Sequence, residues 1–341
     1  MGGADRCSLH LSGTQYIPDT WFDEQVKRYR SSNEILQGYI VKEVEVLKAY
    51  YGRQVRTQDA ARAITHPISS TSIPLGGTSS DDIVPLTQLW RLLKDALVEW
   101  PPDRTPDLVL LLAAIARRRD RIHRGEAFDD DEQPLAWTCL PYLTMIWSEA
   151  YWMEPGQIVR RCNGVESRHR ARDAYIKQQD AEAQLVAAGV FEWRRAFWYL
   201  IKTLERVANH HDNTVASGDD TAEVLLQADF HIPAVACWIK HNGRRLYDEI
   251  AKDELKAWDE RDVPVEARHF DQPTNRWSFW AERLGKFVRD EPDDIVKRAA
   301  CHAVQNMEAI AGESRQYNAR HDERDGSCII CSTMMDEPRV D

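Results

Sequence analysis

The chain has 341 residues, 43% of them hydrophobic and 29% charged, with a net charge of −11. That length buries a sizeable core as one large domain or two small ones. The negative balance argues against a protein that coats nucleic acid over its whole surface. The longest apolar run, "LVLLLAAIA" at 108–116, is far short of the roughly 20 residues a membrane helix needs.

Met1–Gln15 lacks the apolar stretch of a secretory leader, and Arg6 breaks the myristoylation pattern after Gly2. The seven cysteines are odd in number and dispersed, as in a reducing compartment. A cytoplasmic location is therefore expected, with no membrane partner.

In chain order, residues 20–66 read as a helical pair. "HPISSTSIPLGGTSSDD", 66–82, is rich in Ser, Thr, Pro and Gly and reads as a linker. Thr105-Pro106 opens a helix over "DLVLLLAAIARRR", with Pro in the first turn. The acidic stretch "GEAFDDDEQP", 125–134, reads as a loop. "VFEWRRAFWYLIKTLERVAN" carries Trp193, Phe197, Leu200 and Leu204 at three- and four-residue steps. His241-Asn242-Gly243 reads as a helix end capped by glycine. Trp277, Trp280, Leu284 and Phe287 mark another helix, and Glu291-Pro292 opens the last one. No alternating strand pattern and no fixed repeat is found. The prediction is an all-α fold: a helical segment and linker over 1–83, one large irregular helical body over 84–312, and a flexible polar tail over 313–341.

Four constellations carry possible chemistry. In "ASGDDTAEVLLQADF", Ser217 can cap a helix. Asp219, Asp220 and Glu223 then crowd its first turn. Carboxylates favour a helix N-terminus through the dipole alone. Three together also suit a cationic partner, above all a guanidinium, whose planar fork accepts two carboxylates. Just upstream, His210, His211 and Asp212 are candidate substrate contacts, or the polar end of a helix. Adjacent histidines point about 100° apart and do not form the i,i+4 pair of a zinc helix.

Arg117, Arg118, Arg119, Arg121 and Arg124 form one basic cluster, and "RRCNGVESRHRAR", 160–172, holds five more arginines. Either is a solvated helix end or a phosphate-binding surface. Cys328 and Cys331 form a single CxxC, too few ligands for a structural zinc site, and no metal site is expected. Cys139, Cys162, Cys237 and Cys301 lie in apolar helical contexts and are expected in the core, as are Trp90, Trp147, Trp193 and Trp277.

The segments "PLTQLWRLLKDAL", "LAWTCLPYLTMIW", "PAVACWIKHNGRRLYDE" and "NRWSFWAERLGKFV", in that order, resemble a fungal all-helical domain family of unknown function over about residues 80–312. "DDTAE", Asp219 to Glu223, matches residue by residue the DDxxE motif of the arginine-containing cyclodipeptide synthases of fungal secondary metabolism. That resemblance implies an enzyme without cofactor. It joins an arginyl group and a second aminoacyl group, both delivered by tRNA, into a cyclic Arg-Xaa dipeptide. Asp219, Asp220 and Glu223 become its catalytic residues, and the 117–124 arginines its tRNA surface. Two alternatives stay open: a non-catalytic helical interaction protein in which the acidic turn only caps a helix, and a magnesium-dependent lyase or terpene-cyclase-like enzyme with an aspartate-rich helix.

Overall fold

A computed structural model describes residues 17, 19–70, 84–120, 122, 136–150, 153–205, 227–251 and 273–332. The described residues are helical and contain no strand. They divide into two compact units, residues 1–152 with 188–191, and residues 153–187 with 192–341. The boundary falls inside the stretch predicted as one body. No helix among the described residues is long and apolar enough to cross a membrane.

The first unit holds α1 (Asp19–Arg28), α2 (Glu34–Tyr51), α3 (Thr57–Ser70), α4 (Val84–Glu99), α5 (Thr105–Ala116) and α6 (Leu143–Ala150). Asn33 starts α2: its side-chain oxygen accepts from the N–H groups of Ile35 at 2.9 Å and Leu36 at 3.3 Å. Gly52 ends α2, and Arg53 follows at φ 56°, a left-handed residue that turns the chain sharply. That turn is why three helices stand where periodicity predicts a pair. Helix α3 also runs on through Pro67 to Ser70, into the stretch read as linker.

The core of this unit is built on tryptophan. Trp100 packs edge-on against Trp21, Phe22 and Tyr51, an arrangement aromatic rings favour. The buried Trp90 indole donates to the Pro141 carbonyl at 2.7 Å.

One polar group in this unit is out of place. Glu43 is 2% exposed on the core face of α2, and among the described residues its Oε1 lacks a hydrogen-bond partner, as does the Tyr39 hydroxyl one turn earlier. Burial pushes the Glu43 carboxyl well above its ordinary value of 4.5. Its folded pKa exceeds its unfolded one, so its stability contribution is complete below pH 4.5 and is lost as pH rises through the folded value. Glu43→Gln is therefore expected to be more stable than wild type at pH 8 and no more stable at pH 4, read from urea midpoints at the two pH values.

The second unit holds α7 (Pro155–Arg160), α8 (Val165–Ala187), α9 (Arg194–Leu200), α10 (Ala228–Ala251), α11 (Pro273–Asp290) and α12 (Asp294–Ser332). Helix α9 continues into a π-helical turn, Ile201–Glu205. Helix α10 lies at the centre and packs on α8, α9, α11 and α12. It passes straight through Gly243, so the predicted helix end there is corrected. A β-carbon at Gly243 would stand 2.8 Å from Ile310 Cδ1. The glycine lets α12 approach closely instead of stopping the helix. Asp293 caps α12, accepting from Ile295 N–H at 2.7 Å. The helix extends to Ser332, well into the segment read as a tail.

Candidate functional site

Helices α8 and α10 run in the same direction, and their shared face is lined with polar pairs. Arg168 donates to Asp229 at 2.7 Å. Farther along, the Tyr175 ring meets those of Phe230 and His231 edge-on. Trp238 Nε1 then donates to Gln179 at 2.9 Å, His241 Nε2 lies 2.9 Å from Asp180, and Asn242 donates to the Ala183 carbonyl at 2.9 Å. Each bond is satisfied in only one register, so this column fixes how the two helices slide against each other. The parallel course requires a long connection, which α9, the π turn and residues 206–226 supply.

The π turn sits where that connection leaves α9. Single π turns inside helices recur at functional sites. Here the wide turn puts Ile201, Thr203, Leu204 and Glu205 all into the interior. Glu205 is 1% exposed, and its carboxylate accepts from Arg276 Nε at 2.7 Å, Arg276 Nη2 at 3.2 Å and Trp280 Nε1 at 2.8 Å. Its charge is thus matched by a two-pronged guanidinium and an indole. At the other end of the connection, Gln227 is buried, and its carbonyl accepts from Phe230 N–H at 2.9 Å and His231 N–H at 3.2 Å.

Next to these anchors lies a group of neutral titratable side chains, Tyr175 and His231 buried and Tyr199 half-buried. The Tyr175 and Tyr199 hydroxyls are 3.1 Å apart, and burial raises both well above the usual phenol range. Burial, helped by the positive charge of Lys202, lowers His231 to about 4, so its imidazole is neutral at pH 7. Its Nδ1 lacks a hydrogen-bond partner among the described residues.

The folded pKa of His231 lies below its ordinary 6.5. The unfolded chain therefore takes up the proton first as pH falls, and stability is lost between pH 6.5 and about 4. The loss expected from that shift is about 3 kcal/mol. Denaturation followed across that window is expected to show a shallower acid-side decline for His231→Leu than for wild type.

Farther along the seam, burial opposes ionisation of Asp180. Hydrogen bonds from His241 and Gln184 outweigh it and hold the carboxyl below its usual range. Burial pushes the Cys237 thiol up to about 12, which leaves essentially no nucleophilic thiolate at neutral pH.

The sequence-predicted residues fare unequally. Asp219, Asp220 and Glu223 lie outside the described residues, as do His210, His211, Asp212, Arg121, Arg124 and the side chains of Cys328 and Cys331. Arg117, Arg118 and Arg119 follow the end of α5. Arg118 is tied to Asp120 and also reaches the Ala61 carbonyl at 3.5 Å, whereas Arg117 and Arg119 are exposed.

Cys139 does not belong to a core. It lies in a short turn, Trp137–Cys139, and is exposed, while Cys162 and Cys301 are half-buried. Trp90, Trp147 and Trp277 are buried as expected. Trp193 is half-buried, with the Arg245 guanidinium 6.0 Å from its ring centroid.

Glu205, Arg276, His231, Tyr175 and Tyr199 went unnoticed because no motif links them. The one usable signal was a charged or titratable residue inside an apolar stretch, as in "DFHIPAV".

No curated protein matches the chain, and no solved structure matches it. A model of a family described as proteins of unknown function, DUF3632, matches residues 90–284, just over half of the sequence. Its span takes in most of α4, all of α5 to α10 and most of α11. The chain belongs to this DUF3632 family of unknown function.

Proposed function

We propose that the protein is a tRNA-dependent synthase of an arginine-containing cyclic dipeptide. The observation that carries this reading is the Asp219-Asp220-x-x-Glu223 spacing, which reproduces the DDxxE motif of the synthases the chain resembles. It is supported by where the motif falls in the sequence. The motif belongs to the connection between Glu205 and Gln227, whose two ends carry a buried ion pair and a buried amide.

The chemistry asks for positioning more than activation, because an aminoacyl ester is already reactive. The α-amine of one aminoacyl group attacks the ester carbonyl of the other. The amide bond forms as the ester C–O bond breaks, the amine gives up a proton to a base, and one tRNA leaves through its 3′-terminal hydroxyl. The second amine then attacks the remaining ester, closes the six-membered ring and releases the second tRNA. In this reading Asp219, Asp220 and Glu223 bind the guanidinium of the arginyl group or hold its α-ammonium. His210, His211 and Asp212 are further candidate substrate contacts, and the exposed Arg117 and Arg119 are available to tRNA phosphates.

Incubation of the purified chain with tRNA charged with isotope-labelled arginine, together with a second charged tRNA pool, tests this directly. Label is expected in a cyclic dipeptide, and no label in any cyclic product would refute the reading.

A further inference from the structure

Residues 160–172 hold five arginines and His169 against one acid, Glu166, in a chain with a net charge of −11. The structure sorts these arginines into two sets. Arg168 and Arg172 turn inward: Arg168 pairs with Asp229 at 2.7 Å, and Arg172 is 9% exposed and bonds Asp173 at 2.9 Å. Arg160, Arg161, His169 and Arg170 are exposed. Arg161 reaches only the Met153 sulfur, at 3.0 Å, and Arg170 has no carboxylate within ion-pair distance among the described residues.

These side chains share one corner of the second unit. Helix α7 packs on α8, and Gly164, at φ 88°, makes the left-handed turn that brings the end of α7 against the start of α8. His169 and Arg170 lie in the first two turns of α8. The Arg168–Asp229 pair locks those turns to the first turn of α10, the helix that follows the Asp219–Glu223 motif in sequence. The basic corner and the start of α10 are therefore held at one end of the parallel α8–α10 pair.

We infer that the exposed edge of α7 and α8, centred on Arg161 and Arg170, is a docking surface for the phosphodiester backbone of RNA, in particular the acceptor end of tRNA. This rests on the proposed synthase activity. Charge complementarity carries it. Arginine binds phosphate with two parallel donors, and on an acidic protein a local concentration of exposed guanidinium groups is where a polyanion is tolerated.

The test is filter binding of an uncharged arginine tRNA over a range of salt. It compares wild type with Arg161→Glu/Arg170→Glu and with Arg289→Glu/Arg298→Glu, which makes the same charge change at exposed positions of α11 and α12 in the same unit. All four side chains are exposed, so circular dichroism is expected to be unchanged. The α7–α8 variant is expected to lose at least about tenfold in affinity at 0.1 M salt, and the salt slope to fall by roughly one to two. The α11–α12 variant is expected to stay within about twofold.

Wild-type affinity in the α7–α8 variant, or an equal loss in both variants, would overturn the inference. If wild type still makes the cyclic product, the synthase reading survives that result. If wild type neither binds tRNA nor makes product, both fall.

Discussion

Glu205→Gln is expected to cost about 3–5 kcal/mol of unfolding free energy, the penalty of stranding a buried charge whose partner has been removed. Arg276 is 8% exposed and donates to the Glu205 carboxylate from both Nε and Nη2. The Trp280 indole loses the charged acceptor of its bond as well. Removing both charges is far less damaging than removing one, because a matched apolar pair carries no desolvation penalty. Glu205→Gln/Arg276→Met should therefore recover much of what the single variant loses, and a double-mutant cycle in urea measures the coupling. A loss below about 1 kcal/mol in Glu205→Gln would mean that water reaches this pair.

The second large effect is on activity. Asp219→Asn, Asp220→Asn and Glu223→Gln keep side-chain shape and remove charge. If the carboxylates only cap a helix, each change costs about 0.5–2 kcal/mol of stability and leaves the chemistry alone. If they hold the cationic substrate group in the transition state, each costs at least ~100-fold in rate with normal melting, since ~1.4 kcal/mol of lost transition-state binding is already tenfold. The proposed function predicts the second pattern. The two patterns share no outcome, so melting curves and turnover together separate a cap from a site.

Much of the fold was legible in the sequence. Trp277, Trp280 and Leu284 stand at helical spacing, and all three are buried. Thr105-Pro106 opens α5 as its residue types dictate. Gly243 misled because a glycine after His-Asn has two physical uses, ending a helix or admitting a neighbour. Only the approach of Ile310 from a distant segment decides between them.

Glu205 was hidden for a different reason. A regular helix through "KTLERVAN" leaves a glutamate beside Leu204 free to face solvent, but the π turn widens the buried face to include it. Its partner Arg276 is 71 residues away, a separation that periodicity cannot bridge. The motif at Asp219–Glu223 is the reverse case. It was legible as chemistry from residue types and spacing alone, and it lies outside the described residues.

The central claim is that this chain makes a cyclic dipeptide containing arginine and that the carboxylates of "DDTAE" are required. Mass spectrometry of small molecules from cells expressing wild type or Asp219→Asn at matched soluble levels tests it most directly. The account predicts an arginine-containing cyclic dipeptide with wild type and a loss of at least ~100-fold with the variant. No such product from wild type, or wild-type amounts from a folded Asp219→Asn, would contradict it.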